Sequence, residues 1–197
     1  MKKGTIKKRV LKLAYEKFLR HGFYRVSMDS LVEELRTSKS SLYNHYSSKE
    51  DLVKAVIDEI NNKINTKLES VTENENLPFK DKLIIISEFT KNYLSKVSDA
   101  FLKDLAISTP GIGDYYEQQR TKRIKKYYKR LFETGISEGA VRKDIDLDLI
   151  LAIYLNLTMM PLRPEYHQLL NMENKNIYSD VQEIFMNGIL KDERTSV

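Results

Sequence analysis

Apolar residues along this chain recur every three or four positions, the period of an amphipathic helix rather than the alternation of a strand. Ile6, Val10, Leu13, Ala14 and Phe18 fall on one face of a first helix, which Gly22 ends as a C-cap. Ser27 is placed to cap a second helix that buries Leu31, Val32 and Leu35. A short third helix opens at Ser38 and carries Leu42, with Tyr43 and Tyr46 close behind. Leu52, Val56, Ile60, Ile64 and Leu68 mark every fourth position of a long fourth helix. Ser47 and Ser48, with Glu50 and Asp51 three residues on, form a capping box at its start in either register.

The run Asn74-Glu75-Asn76-Leu77-Pro78 interrupts the pattern, and Pro78 suits the opening of a helix carrying Leu83, Ile86, Phe89, Tyr93 and Leu94. Ile84-Ile85-Ile86 is β-branched but sits within this helical period, so it reads as buried helix. Ser98 opens a shorter helix to about Ile107, and Thr109-Pro110-Gly111-Ile112-Gly113 is a turn. A long helix follows from Asp114 to about Glu138, ended by Gly139. The next runs from Asp144 to Met160, with Asp146 or Asp144 as its cap and Pro161 and Pro164 beyond it. A last helix over about Asn176 to Leu190 aligns Ile177, Val181, Ile184, Phe185 and Leu190. The expected fold is all-α, about nine helices, with a three-helix head over residues 1–50 and a helical bundle over 51–197.

Charge divides the chain in the same place. Residues 1–54 hold 13 Lys/Arg against 6 Asp/Glu, and the remainder holds 20 against 22, so the whole positive excess of the chain lies in its first quarter. A basic head on a nearly neutral body is the electrostatic footprint of nucleic-acid binding, although a solvated basic N-terminus has the same composition. Cysteine is absent, which excludes disulfides, thiolate metal sites and a cysteine nucleophile and fits a reducing compartment. The most apolar stretch, Leu147 to Met160, contains Asp148 and Asn156 and is too short to span a bilayer. A soluble, cytoplasmic protein with no membrane partner is expected.

Within the head, two short helices meet at a tight turn around Arg36-Thr37, and the second begins with Ser38, Lys39, Ser40 and Ser41. Small polar and basic residues at the start of a recognition helix suit the major groove, where Lys39 can bond guanine O6 and N7. Ser48-Lys49 opens the following helix, so its free N–H groups and Lys49 can hold one phosphate together. Tyr43 and His45 would face the neighbouring backbone, whereas Tyr46 either joins them or packs the small core of the head.

These residues resemble the DNA-binding head of the TetR family. The resemblance runs from Val10 to Val56 and rests on Phe18, Gly22, Phe23, Ser27, Ser38-Lys39, Leu42-Tyr43, His45-Tyr46 and Ser48-Lys49-Glu50-Asp51-Leu52. It implies backbone-phosphate contacts from Ser27, Tyr43, His45 and Lys49, and base contacts from Lys39, Ser40 and Ser41. Two positions depart from the family pattern. The turn reads Leu35-Arg36-Thr37 in place of Ala-Gly-Val, and Ser40 stands where the family has Gly. In left-handed geometry Arg36 would cost about 1 kcal/mol, or it would add a phosphate contact, so with Ser38 it belongs among the candidate DNA-binding residues.

The Leu147–Met160 helix is apolar nearly all round and needs a partner on more than one face. Ile150, Tyr154 and Leu157, with Val181, Ile184 and Phe185 of the last helix, are the candidate homodimer face; the resemblance implies a four-helix bundle there, and a fully internal helix is the alternative. Phe89, Tyr93, Phe101, Tyr115, Tyr116, Asn156, Met159 and Met160 combine apolar bulk with polar tips and are the candidate lining of a small-molecule effector site. Taken one at a time, each of them is more simply read as ordinary core packing. Seven cations between Arg120 and Arg130 form either a solvated face or an attraction for an anionic effector such as an acyl-coenzyme A or a phosphate.

No metal site is expected from three His without paired spacing, and no cofactor is implied because a Gly-rich phosphate loop is lacking. No acid pair or nucleophile–base set appears at usable spacing, so an enzyme is not expected. The expected function is a repressor released from a palindromic operator by a small molecule. An effector-independent DNA binder and a protein–protein adaptor are the alternatives.

Overall fold

The computed structural model describes residues 3–108, 111–160, 166 and 177–189. The helices are α1 (Lys3–His21), α2 (Met28–Leu35), α3 (Lys39–Tyr43), α4 (Lys49–Thr72), α5 (Phe79–Leu94), α6 (Asp99–Ile107), α7 (Ile112–Arg123), α8 (Lys129–Ser137), α9 (Leu147–Met159) and α10 (Ile177–Ile189). A π-helical turn over Ile124–Tyr128 joins α7 to α8 without a break. Counting that run as one helix gives nine among the described residues, and the fold is all-α. The turn residues Thr109 and Pro110, the terminators Pro161 and Pro164, and Asn176 and Leu190 lie outside the described residues, as does the side chain of Met159.

Local chemistry sets the helix starts where the sequence placed them. Ser27, Ser38 and Ser98 each accept the backbone N–H three residues on, at 3.0, 3.1 and 3.2 Å. Each therefore satisfies a donor that the first helical turn leaves without a carbonyl. Ser48 does the same for Asp51 at 3.0 Å, and Ser47 donates to the Asp51 carboxylate. Two boundaries differ: the helix expected from Asp114 begins at Ile112, and the one expected from Asp144 begins at Leu147. Asp146 is its cap, accepting from Leu149 N–H at 3.0 Å, while Asp144 is instead paired with Arg142 at 2.6 Å.

The chain forms two compact units, residues 1–64 with 95–119, and residues 65–94 with 120–197. In the first, α1 packs on α2, α3 and α6. Its core is built from Val10, Ala14, Phe18, Phe23, Leu31, Leu42, Leu52, Val56 and Phe101, all nearly or fully buried. Tyr46 is buried there too, which settles it as core rather than a backbone contact.

In the second unit, α5 packs on α8 and α10, and α9 packs on α8 and α10. Phe132 is its aromatic centre, with ring centroids 6.1 Å from Phe79, 5.8 Å from Tyr154 and 6.0 Å from Phe185. Within the π turn Ile124, Tyr127 and Tyr128, at i, i+3 and i+4, are all buried in this core. The triple-isoleucine run is helical as expected but not uniformly buried. Ile86 is internal, whereas Ile84 is exposed on the opposite side of the helical period.

Gly135 marks the tightest packing, since a Cβ there would lie 2.7 Å from Phe79 Cδ2 and from Val141 Cγ2. Both neighbours are buried and cannot withdraw cheaply. Gly135→Ala should therefore lower stability by about 1–3 kcal/mol in urea unfolding. Gly188, with nothing within 4 Å of its would-be Cβ, should gain about 0.5–1 kcal/mol as Ala. Equal responses from the two variants would contradict this account of the packing.

Candidate nucleic-acid interface

The turn between α2 and α3 decides how the recognition helix is presented. Arg36 has φ 49° and ψ 50°, and among the described residues it is the only non-glycine with positive φ. Its N–H bonds to the Glu33 carbonyl at 3.0 Å, and Thr37 N–H bonds to the Val32 carbonyl at 3.1 Å. This reciprocal pair closes a helix end in the left-handed manner usually given to glycine. A third carbonyl, Leu35, accepts from Arg9 of α1 at 3.2 Å. The turn therefore has the same closure as a glycine turn, with the steric strain of a Cβ retained.

Beyond it, Ser38, Lys39 and Ser40 are exposed and Ser41 is half-buried at the start of α3. Leu42, fully buried, anchors the helix to the core from its other face. Tyr43 is 45% exposed, and His45 is half-buried one residue before the buried Tyr46. Ser27 and Arg36 are also exposed. All nine candidate DNA-binding residues thus lie in the first compact unit, in or beside α2, α3 and the start of α4.

The two lysines are engaged within the protein. Lys39 Nζ lies 2.8 Å from Oδ1 of Asp29, and that hydrogen bond holds its ammonium above the usual lysine range. Lys49 Nζ donates to the Tyr24 carbonyl at 3.3 Å. Partial burial lowers its pKa, and the nearby Asp104 carboxylate opposes that shift. Neither Asp29 nor Asp104 was legible as a partner, since each is distant in sequence and belongs to no local motif.

The candidate effector residues fall into both units. Phe101 is buried in the first, edge-on to Phe23 at 5.8 Å. Tyr115 donates to Asp58 at 2.5 Å, with Lys54 Nζ 5.8 Å from its ring centroid, and Tyr116 is half-buried nearby in α7. In the second unit Phe89 and Tyr93 are brought together at 6.0 Å, Met160 is half-buried, and Asn156 is exposed and donates to the Ala152 carbonyl.

Of the candidate dimer residues, Ile150, Tyr154 and Phe185 are buried within the second unit, Leu157 and Val181 are half-buried, and Ile184 is 72% exposed. The outward apolar face of α9 is carried by Leu149 and Ile153, which the sequence reading missed. Their four-residue spacing, continued by Leu157, was the available signal. The basic run also has internal partners: Lys126 pairs with Glu69 at 3.1 Å and Arg130 with Glu73 at 3.2 Å.

A basic head with a capped, tightly closed helix-turn-helix has the geometry of a DNA-binding domain. Residues 10–56 match the family model described as bacterial regulatory proteins, tetR family. Over 94% of its length the chain is 24% identical to YvaF, an HTH-type transcriptional regulator of Bacillus subtilis, covering 96% of that protein. It is 20% identical to the HTH-type transcriptional repressor KstR2 of Mycolicibacterium smegmatis, across 78% of this chain and 76% of that one. A TetR-family regulator from Agrobacterium tumefaciens has the same fold, with a TM-score of 0.75 at 12% identity, covering 96% of this chain and all of that one. The match to the tetR family thus covers the head, and the chain as a whole shares the fold of solved TetR-family transcriptional regulators. Among the described residues no helix is long and apolar enough to cross a membrane.

Two measurements test the geometry. Arg36→Gly should raise unfolding stability by about 1 kcal/mol through relief of the left-handed strain; a loss of stability would mean that the side chain outweighs its own backbone cost. Tyr115, desolvated and bonded to Asp58, has its pKa raised to about 12. A raised phenol favours the folded state below the unfolded pKa of about 10, and that contribution disappears as pH rises through the folded value. Tyr115→Phe should accordingly remove a late-titrating phenolate band and flatten the alkaline fall in stability between about 10 and 12.

Proposed function

We propose that the chain is a homodimeric, non-enzymatic, cytoplasmic repressor that holds a palindromic operator and releases it when a small molecule binds its body. The observation that carries this reading is the exposed row Ser38, Lys39 and Ser40 at the head of α3, presented by a fully closed turn within the +7 first quarter of the chain. Lys39, Ser40 and Ser41 read bases, with Ser38 beside them. Ser27, Arg36, Tyr43, His45 and Lys49 hold phosphates. Residues 1–50 act as the DNA-binding domain and 51–197 as the effector and dimerisation domain.

A dimer follows from apolar surface that one chain leaves open. Leu149, Ile153 and Ile184 are 51%, 42% and 72% exposed on α9 and α10, and a two-fold mate would cover them. Two heads then stand one DNA turn apart, about 34–36 Å. The effector occupies the body among residues such as Phe89, Tyr93, Asn156 and Met160, and shifts α4, which continues from the head into the second unit. It acts only insofar as it binds the DNA-free arrangement better. The internal pairing of Lys126 and Arg130 favours the solvated reading of the basic run over an anion site.

Selection from random duplexes, then titration of the winner at several salt concentrations, tests the reading. An enriched palindrome with steep salt dependence is expected. Lys49→Ala should weaken binding to all sequences and flatten the salt slope by about one, while Lys39→Ala should change the preferred base at one position of each half-site. A folded, dimeric protein that enriches no sequence would favour the adaptor reading instead.

A further inference from the structure

The recognition lysine is paired across the helix-turn-helix. Lys39 Nζ sits 2.8 Å from Oδ1 and 2.9 Å from Oδ2 of Asp29, so one ammonium spans both oxygens of one carboxylate. The partners open different helices: Asp29 is in the first turn of α2, and Lys39 is the first residue of α3. Ser27 and Ser38 cap those helices, and the closed turn at Arg36 fixes the angle between them. The side chains are 64% and 63% exposed, so the pair adds little to folding. A carboxylate on this face also opposes the approach of phosphates, on a head otherwise rich in cations. The helix dipole favours a carboxylate in the first turn of α2, but its bond to Lys39 sets the state in which that lysine meets DNA.

We propose that Asp29 is a specificity-determining residue, holding Lys39 away from indiscriminate phosphate contact and presenting it to a guanine. The inference rests on the reading that α3 enters the major groove. A free lysine is a point charge that any phosphate satisfies. Held in a two-oxygen cradle, its ammonium exchanges best with a site offering two acceptors side by side, as guanine O6 and N7 do. The carboxylate thus lowers affinity for all DNA and raises the ratio of specific to non-specific binding.

The test is a double-mutant cycle of Asp29→Asn and Lys39→Ala in the full-length protein, titrated against the selected operator and a random duplex of equal length over a salt series. Asp29→Asn should raise random-duplex affinity by about three- to tenfold and steepen its salt slope by about one, with a smaller gain on the operator. Asp29→Glu, which keeps the charge and can reach the same ammonium, should stay near wild type. Glu33→Gln removes another exposed carboxylate from α2 and should change the operator-to-random ratio far less. In the Lys39→Ala background the effect of Asp29→Asn should shrink to that of Glu33→Gln.

An equal gain in that background, or an equal gain from Glu33→Gln, would reduce Asp29 to general repulsion and overturn the proposal. Circular dichroism of each variant separates these outcomes from misfolding. A wild-type protein that binds no duplex at all overturns the groove reading itself, and the role of Asp29 with it.

Discussion

Gly22, at φ 79°, lets the chain leave α1 so close to α6 that a Cβ would meet Asp104 Oδ2 at 2.6 Å and the Ala100 backbone at 3.2 Å. That approach is what joins the first compact unit. Phe23, 1% exposed, enters the space between Phe18 and Phe101, edge-on to both. The next peptide is held from two sides: Tyr24 N–H donates to Asp104 at 2.8 Å, and its carbonyl accepts from Lys49 at 3.3 Å. One turn therefore ties together α1, α4 and α6. Ser98 N–H, bonded to the Leu19 carbonyl at 2.9 Å, holds the entrance of α6 to the end of α1. A side chain at position 22 would separate these contacts together, because the collision is with backbone as well as with a carboxylate.

The second unit solves a different problem, which is how long helices with few small residues fill an interior. Aromatic rings do most of it. Tyr128, Phe132, Tyr154 and Phe185 lie in a chain of contacts between 4.7 and 6.0 Å, from the π turn across α8 to α9 and α10. The polar side of the same helical run is matched to α4 at helical spacing, Lys126 to Glu69 and Arg130 to Glu73, each pair four residues beyond the last. Lys82, 4% exposed, places its ammonium 3.3 Å from the Thr72 carbonyl, the last residue of α4, where a helix presents its negative end. Cations that look in the sequence like an isolated block thus include two rungs of an ion-pair ladder with α4.

Local signals were legible because their causes are local. Ser27, Ser38, Ser98 and Asp146 cap helices through bonds that reach only three residues, and the left-handed turn at Arg36 could be anticipated from the glycine it displaces. Periodicity identified apolar faces but not which face meets which neighbour. Ile150, Tyr154 and Phe185 turn inward, while Leu149, Ile153 and Ile184 are left outside, and both sets obey the same helical repeat. Polar partners were the least legible. Asp29 to Lys39 spans ten residues, Tyr115 to Asp58 fifty-seven and Tyr24 to Asp104 eighty, and nothing in the intervening composition encodes those distances.

Four of the nine candidate DNA contacts, Ser27, Ser38, Lys39 and Lys49, have side-chain partners inside the head, and donor counting shows why that does not block binding. Ser27 and Ser38 use an oxygen lone pair to accept a backbone N–H, so the hydroxyl proton stays available to a phosphate. Lys49 spends one of its three N–H donors on the Tyr24 carbonyl and keeps the others. The internal bonds therefore orient these groups without consuming what DNA requires, and the rotamer entropy of fixing them is largely met before the duplex arrives. Lys39 differs because its partner is a full charge that DNA repels. Its release has to be compensated by base acceptors, which makes it the position in the head where preorganisation and selectivity act through the same bond.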